Sequence, residues 1–585
     1  MRAATLLLGA ATVFLVMTGA VALAQQAADA KAPESGSGVE AKEIVHAKRH
    51  MVVAANPLAA QAGLDMLRDG GTAADAMVAV QTVLGLVEPQ SSGLGGGAFL
   101  VWYDAATGKL TTLDGRETAP AAATPKLFID IDGKPLDFMV AVVGGRSVGT
   151  PGVPRLLETL HRKFGKLPWA SLFDAGVKHA SDGFVVSPRL ATLIAEDVGY
   201  LDSEAATKSY FFDTSGAPLN SGALLKNPEY AASLKALAEG GADAFYRGPI
   251  AEKIVAAVTG HGNAGGLSLA DMQGYAVKER DAVCASYRGL DVCGMGPPSS
   301  GALTIGQILG MIEPFDLARL GPEDPESWRI IGDATRLAFA DRERYLGDAD
   351  FIDIPKGMLD GQYLKTRSAL LRRPTALAKD EVTAGEPPRD KAELRIDGIS
   401  AEIPATSHIS IVDDAGNVAV MTTSIEGAFG SRLFVGGFLL NNQLTDFSFE
   451  PEQGGQAVAN RIEPGKRPRS SMAPTIVLKD GKPIYALGSP GGSNIIPYVA
   501  TTLVGLIDWK MDIQQAITMP HLSNRFGTYN VEMGTSAESL TKDLEALGYT
   551  VKPGELNSGL HGIALGKGEL SGGADPRREG VALGD

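Results

Sequence analysis

Basic charge is in short supply. Lys and Arg number 53 against 68 Asp and Glu, a formal net charge of −15. General nucleic-acid binding needs a basic footprint, so that class is excluded. Cysteine is nearly absent, with only Cys284 and Cys293. The eight histidines, His46, His50, His161, His179, His261, His408, His521 and His561, are scattered without ligand spacing. No metal site and no cofactor is therefore expected. After residue 24 no run reaches about 18 uninterrupted apolar residues, so no later membrane span is expected. No internal repeat of fixed period is visible.

What is present is enough for a large folded chain. At 585 residues and 44% hydrophobic, it can bury a sizeable core, as several domains or as one large enzyme. Gly (71) and Pro (33) are frequent enough to imply many turns. Arg2, an apolar run from Ala3 to Ala24 and the closing Ala22-Leu23-Ala24 have the order of a secretory signal peptide. Cleavage is expected before Gln25; a retained anchor is the alternative. An Ala-, Ser-, Gly- and Lys-containing arm, 25–46, is expected to be disordered. Across Tyr287-Arg288-Gly289-Leu290, a plausible hairpin turn, an exported chain permits a Cys284–Cys293 disulfide. Two buried thiols are the other reading.

Periodicity predicts helices over 56–68 and 72–87, the second apolar nearly all round and so buried. A hairpin is predicted over 98–113, and further helices over 154–164 and 230–239. Residues 373–404, with Pro374, Pro387 and Pro388 among many charges, read as a solvated, mobile linker. The pattern then switches abruptly to a strand, 406–412, a turn at 413–417 and a second strand, 418–425.

Two motifs fail for want of context. Gly145-Arg146-Ser147-Val148-Gly149 fits the esterase pattern, but Pro151, Gly152 and Pro154 delay the helix a nucleophile elbow requires. Gly93-Leu94-Gly95-Gly96-Gly97 is followed by a strand, so no helix N-terminus is available for phosphate. Both read as structural turns.

Thr406, opening a strand behind a linker, is the better candidate. Threonine is a poor nucleophile unless a base adjoins it. Its own α-amine would serve if the Ala405–Thr406 bond were cut, and its hydroxyl can attack the preceding carbonyl to make that cut. Gly488-Ser489-Pro490-Gly491-Gly492-Ser493, between a strand and the apolar stretch 495–507, offers N–H groups for an oxyanion. Ser470 and Ser471 can bind a carboxylate. Gln443 and Asp446 can grip an amine.

These strings resemble the γ-glutamyltransferase (γ-glutamyltranspeptidase, glutathione hydrolase) family of N-terminal-nucleophile hydrolases. The likeness runs from about Val52 to Arg577. It rests on Glu88–Gly97, Asp114-Gly-Arg-Glu117, Pro297-Pro-Ser-Ser-Gly301, Thr406-Ser-His408, Leu440–Ser448, Lys466–Ser471 and Gly488–Gly492. The resemblance implies an α+β fold, a four-layer αββα sandwich. It implies a precursor that cuts itself into a large subunit, 47–405 after the arm, and a small catalytic subunit, 406–585. It also implies roles: Thr406 as nucleophile in cleavage and turnover, and Gly491 and Gly492 as oxyanion donors. Arg116, Ser470 and Ser471 would bind the glutamyl α-carboxylate, and Gln443 and Asp446 the α-amine. Ser424 stands where the family has a Thr that hydrogen-bonds the nucleophile. Glu426 stands where members carry Asn or Glu, and would face the α-amine.

The implied partners are glutathione and other γ-glutamyl compounds, with water, amino acids or peptides as acceptors, in the periplasm or outside the cell. The segment 449–465 corresponds to a lid, but is short and lacks Tyr and Trp. His408 is expected to pack or position. Two rival functions remain: a glutaryl or cephalosporin acylase of the same superfamily, and a catalytically silent periplasmic binding homologue.

Overall fold

The computed structural model describes residues 35–389, 396–398, 400, 402 and 405–585. The expected signal peptide, the first part of the arm and much of 390–404 lie outside the described residues. Fourteen strands form the body of the protein. In chain order the first seven are β1 (Val45–Ala47), β2 (Met51–Ala54), β3 (Gly97–Asp104), β4 (Lys109–Gly115), β5 (Lys278–Arg280), β6 (Val283–Tyr287) and β7 (Leu290–Gly294). The rest are β8 (Ala405–Val412), β9 (Val418–Glu426), β10 (Thr475–Lys479), β11 (Lys482–Gly488), β12 (His561–Leu565), β13 (Leu570–Ala574) and β14 (Val581–Gly584). They pair into two seven-stranded sheets, ordered β14-β2-β8-β9-β3-β4-β5 and β1-β13-β12-β11-β10-β7-β6.

Strand alternation makes the layers. Successive side chains point to opposite faces. In the first sheet Val52, Ala54, Leu100, Trp102, Ile409, Ile411, Ala419 and Met421 face one helical layer. That layer includes α1 (Pro57–Arg68) and α2 (Ala73–Val87). Their neighbours Met51, Val53, Val101, Val412, Val418 and Val420 face the second sheet, meeting Ile476, Ala486 and Ile563. The second sheet presents Val292, Val477 and Leu487 to α3 (Gly301–Ile312), α4 (Pro325–Tyr345) and α5 (Ile495–Ile507). The result is helix, sheet, sheet, helix, the expected α+β sandwich. Among the described residues no helix is long and apolar enough to cross a membrane.

Local chemistry explains the helix ends. Asn56 caps α1 by accepting the Leu58 N–H, with Pro57 at the first helical position. Thr72 and Asp75 form a reciprocal capping box on α2, whose fifteen residues are all buried. At the predicted turn, Arg288 (φ 51°) and Gly289 (φ 74°) reverse the chain between β6 and β7. This sets Cys284 opposite Cys293, and the two are bonded.

Two segments differ from expectation. The described part of the arm, 35–46, is not loose. The N–H groups of Ser37 and Glu40 donate to Arg577 O (3.0 Å) and Pro576 O (2.9 Å). Strand β1 pairs with β13. Edge pairing uses backbone groups, so a composition poor in apolar residues does not reveal it. The described parts of the linker are tied down as well. Arg373 pairs with Glu381, Gly385 N–H donates to Asp341, and Ile396 bridges to Val458. Its charges find partners within the linker and on α4, where Asp397 pairs with Arg344 and Glu402 with Arg342, while composition alone suggested solvent.

Candidate active site

Strand β8 begins at Ala405, which places the Ala405–Thr406 bond at the start of a core strand. The register shifts between Ala405 and Ser407, an irregularity centred on Thr406. The Thr406 hydroxyl lies 3.4 Å from the Ser424 hydroxyl of β9. Ser424 Oγ donates to the Ala405 carbonyl at 2.7 Å and accepts the Glu426 N–H at 2.8 Å. Glu426 holds a left-handed backbone (φ 81°), unusual outside glycine. Arg578 Nη1 donates to the Thr406 carbonyl at 3.2 Å.

The glycine motif from 93 to 97 is a backbone cradle. A Cβ on Gly96 would stand 2.1 Å from Ser424 O, and one on Gly95 2.1 Å from Leu439 O. Asn441 completes it, donating to Gly95 O and Gly149 O and accepting the Gly149 N–H. The esterase-like motif is thus a turn, with buried Ser147 donating to Val142 O. Pro298 and Ser299 have a similar bracing task. Ser470 N–H donates to Pro298 O, and Ser299 Oγ donates to Met472 O at 2.6 Å.

Nine expected site residues line one small cavity: Arg116, Thr406, Ser424, Glu426, Gln443, Asp446, Ser470, Ser471 and Gly492. Gly491 stands just behind it at the start of the short turn before α5. Its φ is 138°, and that of Gly492 is 55°, both regions that favour glycine. The wall opposite carries charge. Arg116 donates to the Asp446 carboxylate, to Pro468 O (3.2 Å) and to Arg469 O (3.0 Å). Gln443 donates to Asp446 at 2.8 Å, and Asn442 donates to Glu426.

Burial pushes Asp446 up to about 6, against the pull of Arg116; the nearby Glu402 adds to the rise. Glu117 has no hydrogen-bond partner among the described residues, and burial pushes it up to about 8 despite Arg116. His408 lies off the cavity, bonded to Thr422 and Ser410, and burial holds it well below the usual histidine range.

Three contributors were not among the sequence candidates. Glu402 lines the cavity, Arg342 reaches it from α4, and Arg469 braces it from behind. The run Ala340-Asp-Arg-Glu-Arg344 on α4 reads as a solvated helix face, and nothing local marks Arg342 as buried. The segment 449–465 is anchored at its start, where Phe449 stacks on Phe128 (4.5 Å between centroids) and Phe138 (6.0 Å).

With this geometry in hand, comparison with known proteins is informative. A model of the γ-glutamyltranspeptidase family matches residues 59–585. The chain belongs to that family. The glutathione hydrolase proenzyme of Bacillus subtilis (strain 168) is 35% identical over 95% of each chain. That of Escherichia coli (strain K12) is 36% identical over 94% of each. The crystal structure of cephalosporin acylase from Bacillus halodurans superposes with a TM-score of 0.81 at 25% identity, covering 94% of this chain and 99% of that one. The fold and the family membership expected from the motifs therefore hold.

Proposed function

We propose that the protein is an exported, self-cleaving γ-glutamyltransferase with glutathione hydrolase activity. The observation that carries this reading is the hydrogen bond from Ser424 Oγ to the Ala405 carbonyl, with the Thr406 hydroxyl beside it. A carbonyl polarised by a fixed donor, next to a hydroxyl on the following residue, suits an intramolecular acyl shift. Thr406 Oγ attacks the Ala405 carbonyl carbon, the peptide C–N bond breaks, and an ester forms. Water hydrolyses the ester and frees the Thr406 α-amine, whose ordinary pKa of about 7.7–8.0 suits a general base near neutrality.

In turnover, that amine takes the hydroxyl proton as Thr406 attacks the γ-carbonyl of the donor. Gly491 and Gly492 N–H groups stabilise the oxyanion. The leaving amine departs with the proton, leaving a γ-glutamyl ester. Water then gives glutamate, and an amino acid or peptide gives a new γ-glutamyl compound. Gln443, Asp446 and Glu426 hold the donor's ammonium, and Arg116 with Ser470 and Ser471 its carboxylate.

The family likeness and the proenzyme names of its relatives support this reading. The second reading is an acylase of glutaryl or cephalosporin side chains, favoured by the fold's likeness to such an enzyme. A glutaryl side chain lacks an α-amine, so the buried Gln443–Asp446 pair would have no substrate ammonium to hold. Turnover of γ-glutamyl against glutaryl anilide separates the two. Faster glutaryl turnover would overturn the γ-glutamyl assignment.

A further inference from the structure

In the uncut chain the cavity beside Thr406 already holds a carboxylate. It belongs to Glu402, whose side chain is only 6% exposed. Arg342 Nη2 donates both to Glu402 and, at 2.8 Å, to Ser471 Oγ. The same guanidinium is fixed on its other edges, by Glu343 at Nη1 and by Ser300 Oγ at Nε (2.9 Å). Ser300 in turn donates to Ser470 O, so one arginine holds both the serine pair and the anion between them. Arg469 packs behind, donating to Glu343 at 2.7 Å. Burial alone would raise Glu402, but Arg342, Arg469 and the Ser471 hydroxyl outweigh it and hold Glu402 below the usual carboxylate range.

Among the described residues the buried guanidiniums Arg116, Arg342 and Arg469 have as their ion-pair partners Glu117 and Asp446, on Arg116, and Glu343 and Glu402, on the other two; Glu426 also lines the cavity. Arg116 faces Asp446, and the two remaining guanidiniums share Glu343 and Glu402. If Glu402 leaves, Glu343 is the one carboxylate among the described residues that still pairs with Arg342 and Arg469. A buried cation without its counter-charge is costly, so the vacated position favours another carboxylate. Glu402 shares Arg342 with Ser471 and lines the same cavity as Thr406, so that place is within the cavity a donor's carboxylate would enter.

We propose that Glu402 is an internal stand-in for the donor's carboxylate, and that Arg342 is a specificity-determining residue that takes over this carboxylate once Glu402 has left. This rests on the γ-glutamyl reading and deepens it. The uncut chain then has its donor site filled by its own side chain. Cleavage after Ala405 frees the segment carrying Glu402 from one of its two tethers and so exchanges an intramolecular anion for substrate. Arg342 selects against donors that lack the carboxylate.

The test uses full-length chains held uncut by Thr406→Ala, titrated calorimetrically with L-glutamate and with 4-aminobutyrate, which has the amine and the distal carboxylate but no α-carboxylate. Thr406→Ala alone should show no binding at millimolar glutamate. Adding Glu402→Ala, or the still smaller Glu402→Gly, should create glutamate binding and leave 4-aminobutyrate unbound. Adding Arg342→Gln should weaken that new binding about tenfold or more, with Arg342→Lys between the two. The proposal is overturned if Thr406→Ala binds glutamate as well as the double variants, or if the double variants bind none. It is also overturned if 4-aminobutyrate gains equally, or if Arg342→Gln changes nothing. Whether wild-type protein splits and turns over γ-glutamyl anilide is read separately on a denaturing gel and by assay. Failure there would sink the parent reading without deciding the titration.

Discussion

Ser424→Ala probes the step on which activity depends. In the uncut chain Ser424 Oγ is the donor to the carbonyl that must be attacked, at 2.7 Å. Removing one preorganised oxyanion donor costs about 2.7–4 kcal/mol, or roughly 10²–10³ in rate. The contact to Thr406 Oγ, at 3.4 Å, is long and adds little. A second effect runs in parallel. The Glu426 N–H loses its acceptor at a left-handed residue, a stability loss of about 1–3 kcal/mol. The two effects are read by different assays. A time course on denaturing gels follows conversion of the full-length chain into two, and denaturant unfolding follows stability. Ser424→Ala should be isolated largely uncut and split roughly 10²–10³-fold more slowly than wild type. Ser424→Thr keeps the hydroxyl and should split at nearly the wild-type rate. If Ser424→Ala splits as fast as wild type, the Ala405 carbonyl is not activated by this hydroxyl and the argument fails. If Ser424→Thr is as slow as Ser424→Ala, crowding in the strand pair, and not the donor, controls the step.

Other outcomes follow from the same geometry. Thr406→Ala should give one uncut chain without turnover; two chains of the expected masses would refute self-cleavage at this bond. Gly491→Val should lower kcat by roughly 10²–10³, because φ is 138° and a Cβ would meet the Tyr498 ring at 3.0 Å; a wild-type kcat in folded protein would remove Gly491 from the oxyanion site. Asp446 must be ionised to pair with the donor's ammonium, and burial raises it to about 6 in the uncut chain. Because Glu402 contributes to that rise, its departure lowers the value, so donor kcat/KM should fall on an acid limb at or below pH 6. Asp446→Asn should abolish that limb; an unchanged limb in the variant would assign it to another group.

Much of this protein is written locally. The period-2 run after Ala405 yielded β8 and β9, and the Thr72–Asp75 box and the Asn56 cap delimited α2 and α1 within a residue. Capping and alternation act over a few residues, so a sequence displays them directly. The motif strings named the cavity's polar residues because each string folds as one turn that carries its own side chains inward. Tertiary structure alone decided what those residues face. Arg116 and Asp446, expected to grip the α-carboxylate and the α-amine of one substrate, pair with each other in the uncut chain. Arg342 and Glu402, 60 positions apart, meet only because α4 and the linker converge on the same serine pair. Charges on a helix and in a linker carry the same composition whether they face water or one another. Burial, which makes their pairing obligatory, exists only once the layers have closed.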